Sequence, residues 1–130
     1  MMQILAMHGW AGQACTWSHW RQHFEAGGSI WTSAYRGYGG EAPVSPAWNP
    51  NPNRRVLIAH SLGLHLLPAA VLAQADAVVL LGSFSSFVPH GRAGRAVAAA
   101  LQGMQAALGT DEELTMLEHF LDKALSLLHI

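Results

Sequence analysis

The segment from Arg55 to Gln74 constrains this chain more than any other. It runs from an apolar block, Val56-Leu57-Ile58-Ala59, through His60-Ser61-Leu62-Gly63 into a longer apolar block that reaches Gln74, and past Arg55 it holds no Lys, Arg, Asp or Glu. A short apolar run bounded by a turn reads as a buried strand; the longer block reads as a helix. A strand that is apolar at every position is covered on both faces, which is the situation of parallel strands in an α/β fold. The expectation is a strand over Arg55 to Ala59 and a helix over Leu62 to Gln74, with Pro68 marking a kink or boundary because it lacks an amide N–H.

The flanking sequence repeats this alternation. Ile4-Leu5-Ala6-Met7 is a buried-strand candidate halted at Gly9. Trp17, Trp20 and Phe24 share one helical face, and Gly27-Gly28 follows as a stop. Ser29 to Tyr35 suits a second strand, and Ala77 to Leu81 a fourth, ended by Gly82-Ser83. Between them, Pro43, Pro46, Pro50 and Pro52, with Asn49, Asn51 and Asn53, predict an irregular loop. Two helices close the chain without a strand between them. Arg92 to Leu108 is alanine-rich and stops at Gly109. Thr110-Asp111-Glu112-Glu113 then forms a capping box, in which the hydroxyl bonds the N3 amide and Glu113 reaches back. Leu114, Leu117, Leu121, Leu125 and Leu128, with Phe120 and Ala124 beside them, make one apolar stripe.

Composition narrows the function. With 51% hydrophobic and 12% charged residues the 130-residue chain has the means to bury a core, and a net charge of −1 gives no basic face for nucleic acid. The single cysteine, Cys15, forms no internal disulfide, which fits a reducing cytoplasm. No signal peptide and no apolar stretch of membrane-spanning length is read, so the expected setting is soluble and cytoplasmic.

Two motifs carry chemistry. Ala59-His60-Ser61-Leu62-Gly63, after a strand and before a helix, has the context of a nucleophile elbow, whose small flanking residues let strand and helix approach while the serine is lifted above the sheet. The competing reading is a buried serine in an ordinary strand-to-helix turn. His8-Gly9-Trp10 ends the first strand; in such a fold the amides of Trp10 and Leu62 would converge on the developing oxyanion. No cofactor is expected. Nor is a metal: His8, His60 and His65 have no His-x-Glu or Cys-x-x-Cys companion. His19 and His23 read as surface residues.

These pieces resemble the α/β-hydrolase superfamily, and in particular the pimeloyl-ACP methyl ester carboxylesterases of biotin synthesis. The resemblance rests on His8-Gly9-Trp10, Arg36-Gly37-Tyr38-Gly39, Ser61-Leu62-Gly63, Gly82-Ser83-Phe84-Ser85-Ser86-Phe87 and Glu118-His119-Phe120-Leu121, in family order. It implies the N-terminal part of the hydrolase core over residues 1–88, a parallel sheet of about four strands with flanking helices, and a helical lid over residues 89–130. It further implies Ser61 as nucleophile, Trp10 and Leu62 as oxyanion hole, and Trp10 and Phe120 lining an acyl pocket. The substrate would be a small acyl ester, with an acyl carrier protein as a partner.

The family's triad runs Ser, then Asp or Glu, then His, on loops after later strands. No strand is predicted after Leu81, so the C-terminal core is expected to be missing. The downstream candidates are Asp111, Glu112, Glu113, Glu118 and Asp122 with His90, His119 and His129, and the carboxylates all fall in the lid helix. Two readings therefore stand side by side: a serine hydrolase by ancestry without its triad acid and histidine, or an inactive fragment or acyl- or partner-binding module. The apolar strand Ala77 to Leu81 would be left as an edge, and a homodimer through that edge or the lid is expected.

Overall fold

In a computed structural model, the structure describes residues 1–127. They divide into two compact units, Met1–Ser85 and Ser86–Ile130.

The first unit is built on a four-stranded, all-parallel sheet in the order β2-β1-β3-β4. The strands are β1 (Met2–Met7), β2 (Ile30–Ala34), β3 (Arg54–His60) and β4 (Ala77–Leu81). β1 pairs Met7 with Ala34 of β2 on one side and with Ala59 of β3 on the other, so all three C-terminal ends lie level. The α/β expectation holds, with all four strands in the expected places to within two residues at each end.

Strand alternation sorts the core into two layers. Leu5, Met7, Leu57 and Ala59 join Leu67 and Val71 on one face; Ile4, Ala6 and Ile58 join Trp17 and Trp31 on the other. Helix α1 (Ser18–Ala26) serves the second face through a chain of aromatic contacts from Trp17 through Trp20 and Phe24 to Trp31. It stops in a Schellman arrangement, Ser29 N–H to Phe24 O and Gly28 N–H to Glu25 O at 3.0 Å each, with Gly28 at φ +83°.

The helix expected over Leu62 to Gln74 is instead two short pieces, a 3-10 turn at Ser61–Leu66 and α2 at Ala69–Ala73. Pro68 is the cause: its ring pushes Leu67 out of the helical region, to ψ 139°, and Pro68 itself is extended at ψ 139°. The Pro68 carbonyl then accepts from Val71 and Leu72 N–H and opens α2.

The proline-rich loop between β2 and β3 is irregular but pinned. Gln3 is fully buried in β1 and spends its amide on it: Nε2 donates to Ala47 O and Thr32 Oγ1, and Oε1 accepts from Asn49 N–H at 2.7 Å. Trp48 Nε1 donates to Val71 O at 2.9 Å. Nearer β2, Tyr35 and Val44 form a two-bond antiparallel bridge that closes the Arg36–Pro43 loop at its base.

The second unit holds α3 (Arg92–Ala107) and α4 (Glu113–Leu127). Its capping differs in detail from the expectation. Thr110 Oγ1 accepts from Glu112 N–H at 3.2 Å, one position early, and the Glu113 carboxylate takes the N–H of Gly109 rather than that of Thr110. The expected stripe on α4 is only partly covered: Met116, Leu117 and Phe120 are half-buried, whereas Leu114 and Leu121 are exposed. Leu128 and His129 lie outside the described residues.

Candidate active site

In an open α/β sheet the ligand crevice forms beyond the strand C-termini, where the strand order reverses. Here the chain moves outward from β1 to β2 on one side and from β3 to β4 on the other, so the reversal falls between β1 and β3. The turn after β1 is His8-Gly9-Trp10, and the turn after β3 begins at Ser61. Topology alone thus places the two chemistry-bearing motifs side by side.

The contact between them is close. A Cβ on Gly9 would lie 3.1 Å from the Ser61 Cβ and 3.2 Å from His60 O. One on Gly63 would lie 2.7 Å from both Met7 O and His8 O, two backbone atoms that cannot yield. Small residues are therefore required in both turns because the backbones meet there. Gly63 meets the requirement read from sequence for the elbow, and Ala59, fully buried, fills the small position before the serine.

Backbone strain gathers at the same place. Among the described residues two that are not glycine have positive φ, Ser61 at 51° and Ala11 at 53°. Each such conformation costs on the order of 1–3 kcal/mol and persists where its surroundings over-determine it. Ala11 sits third in the turn closed by Gly12 N–H to Gly9 O at 3.1 Å. Ser61 is the sharp corner between β3 and the 3-10 turn, half-buried, with its carbonyl held by the Ser83 hydroxyl at 2.8 Å.

His8 organises the floor of the crevice. It is 2% exposed, with both ring nitrogens committed: Nδ1–H donates to Gly9 O at 2.6 Å, and Nε2 accepts from Arg36 N–H at 3.2 Å. Those bonds fix the neutral Nδ1–H tautomer. Tyr35 and Tyr38 stand edge-on to the ring at 5.7 and 5.8 Å. His8 is a structural post, with no lone pair left to act as a base.

The other described histidines make no bond to Ser61. His65 Nε2 donates to Phe84 O at 2.8 Å and its ring stacks on Phe84, so it ties the 3-10 turn to the loop after β4. His19, His23 and His60 are exposed. Among the described residues no histidine hydrogen-bonds the Ser61 hydroxyl, and no group of three His, Cys, Asp or Glu could hold a metal ion. The downstream carboxylates and His90 and His119 belong to the second unit, where Asp111, Glu112, Glu118 and Asp122 are exposed and Glu113 serves the cap.

Of the residues singled out from sequence, the structure brings Ser61 against Gly9 of the His8-Gly9-Trp10 turn, in which Trp10 is 40% exposed. Phe120 lies half-buried on α4 in the second unit. Leu62 is the second residue of a six-residue 3-10 turn, Ser61–Leu66, rather than the start of the expected long helix, so no long-helix dipole acts there. Ser83 was legible only as part of a serine-rich motif, and its grip on the Ser61 carbonyl has no sequence signature. A second hollow lies nearby at the C-terminal end of β1 and β2, a cleft of about 260 Å³ between Tyr35-Arg36 and Leu66.

Comparison with protein-family models, with curated proteins and with solved structures gives no match to this chain. Among the described residues no helix is long and apolar enough to cross a membrane.

Proposed function

We propose that this chain carries the nucleophile and oxyanion half of a serine carboxylesterase site of the α/β-hydrolase type. Ser61 attacks the carbonyl of a small acyl ester, the amides of Trp10 and Leu62 receive the oxyanion, and water then hydrolyses the acyl-enzyme. The observation that carries this reading is the left-handed Ser61, φ 51°, at a strand-to-turn corner pressed against the His8-Gly9 turn. A serine bound for a merely structural role gains nothing from a conformation that costs free energy; a nucleophile elbow requires it. The strand order supports the same reading, since both turns fall at its reversal.

Among the described residues no histidine bonds the Ser61 hydroxyl, and a histidine–carboxylate pair would complete the centre. On this reading Trp10 flanks the acyl chain, and a pimeloyl-ACP methyl ester is the substrate that the family resemblance suggests. β4, the edge of the sheet, is the surface through which we expect the chain to pair with a second copy.

One observation favours a second reading, a binding module without hydrolysis: the ring of His8 is fully committed to backbone groups, and among the described residues no histidine bonds the Ser61 hydroxyl. Intact-mass detection of fluorophosphonate labelling separates the two. Stoichiometric labelling of the purified chain that disappears in Ser61→Ala supports the esterase centre. A folded chain that stays unlabelled leaves the binding module.

A further inference from the structure

The cleft at the ends of β1 and β2 is distinct from the Ser61 crevice. Its walls come from Met7, Pro43, Pro46 and Leu66, which are apolar, and from Arg36 and Ser45, which are not. Its volume, about 260 Å³, falls just under the roughly 300 Å³ at which drug-sized ligand sites begin, so it suits a small molecule. Met7 is fully buried, and the Tyr35–Val44 bridge holds one wall by two backbone bonds of 2.9 and 2.8 Å, so the hollow is part of the fold's fixed frame.

Arg36 gives the cleft its chemistry. The ion pair found among the described residues is Arg21–Glu25, so none of their carboxylates lies within pairing distance of the Arg36 guanidinium. A guanidinium presents a planar fork of donors that fits a carboxylate in bidentate fashion. Glu41, on the same loop, is near enough to help raise the pKa of Tyr35, which burial raises first, but it does not neutralise Arg36. A cation at one wall, with Leu66, Val44 and prolines among the others, suits a short aliphatic chain that ends in a carboxylate.

We propose that this cleft binds a small aliphatic monocarboxylate, with Arg36 holding the carboxylate and Leu66 and the prolines covering the chain. The site does not depend on the esterase reading. It is linked to the crevice through one bond, Arg36 N–H to His8 Nε2, so occupancy bears on the turn that flanks Ser61.

The test is titration of the full chain with hexanoate at low ionic strength, followed by NMR shifts, with 1-hexanol as the uncharged control. Saturable binding of hexanoate and not of hexanol is expected. Arg36→Gln should weaken it at least about fivefold, and Arg36→Lys, which keeps the charge and loses the fork, by less. Glu41→Gln should tighten binding by removing a like charge. Ser61→Ala should leave it unchanged, so a failure of the esterase reading would not touch this result. Equal affinity in Arg36→Gln, or no saturable binding to the wild-type chain, overturns the proposal; should Arg36→Gln not fold, unchanged affinity in Arg36→Lys together with Glu41→Gln overturns it equally.

Discussion

At the scale of single residues, the positions that matter most are those where a side chain or its absence settles a backbone contact. Gly63 is the sharpest case. A methyl group there would meet two carbonyl oxygens at 2.7 Å, so Gly63→Ala should destabilise the fold by about 1–3 kcal/mol, the usual cost of overpacking. Its denaturant midpoint should fall accordingly, and any fluorophosphonate labelling of Ser61 should fall with it as the corner is forced away from the His8 turn. Tyr35 offers a test of a different kind. Burial, then the nearby Glu41 and Cys15, push its phenol above the ordinary value of 10.0. The folded state therefore holds the Tyr35 proton more tightly than the unfolded chain does, and stability should drop as pH rises from about 10 toward the raised value. Denaturant titrations across that range should lose this slope in Tyr35→Phe. The sequence made Ser61 and Gly63 visible because their spacing after an apolar strand has few other uses. It did not make the twin strain at Ala11 visible, since alanine at a left-handed position leaves no mark in a residue pattern.

At the scale of elements, periodicity found every strand and missed the course of one helix. The apolar blocks at β1, β3 and β4 are fully legible because parallel strands need apolar residues at successive positions. The stretch after Ser61 satisfies a helical pattern equally well on paper, and there Pro68 decides. It splits the segment into a 3-10 turn and a five-residue α2, and the consequence reaches the site, because the amides behind Ser61 belong to a tight turn. The pair α3 and α4 was readable as helices from composition and capping, though the cap itself slid by one residue on both of its bonds. A capping box specifies which groups are available, and small changes in the approach of the chain choose among neighbouring amides. The stripe on α4 was legible as a period and not as burial: Leu114 is 67% exposed and Leu121 52% exposed, which a repeat of leucines does not foretell.

At the scale of the whole molecule, the sheet is unequal at its two sides. β2 closes one edge with Trp31 and Ala34 buried, whereas β4 closes the other with Val78, Val79 and Leu80 between 40% and 50% exposed. The register places Val78 and Leu80 opposite Leu57 and Ala59, and Val79 opposite Ile58, so both faces of the strand are open as well as its rim. It carries no lysine, proline or bulge of the kind that discourages pairing. On the proposed pairing through β4, sedimentation equilibrium should find a dimer, and Val79→Lys should leave a folded monomer; a wild-type chain that stays monomeric at high concentration would count against it. Gln3, finally, has a meaning for how the molecule assembles. Its one amide touches β2 and two points of the proline-rich loop, from a strand that lies at the centre of the sheet. The pairing of β1 with β3 joins residues far apart in the chain, a step that is slow because loop closure comes before any reward. An amide that gathers the intervening loop onto β1 would shorten that search, making Gln3 a clasp for the two paired strands that lie farthest apart in sequence.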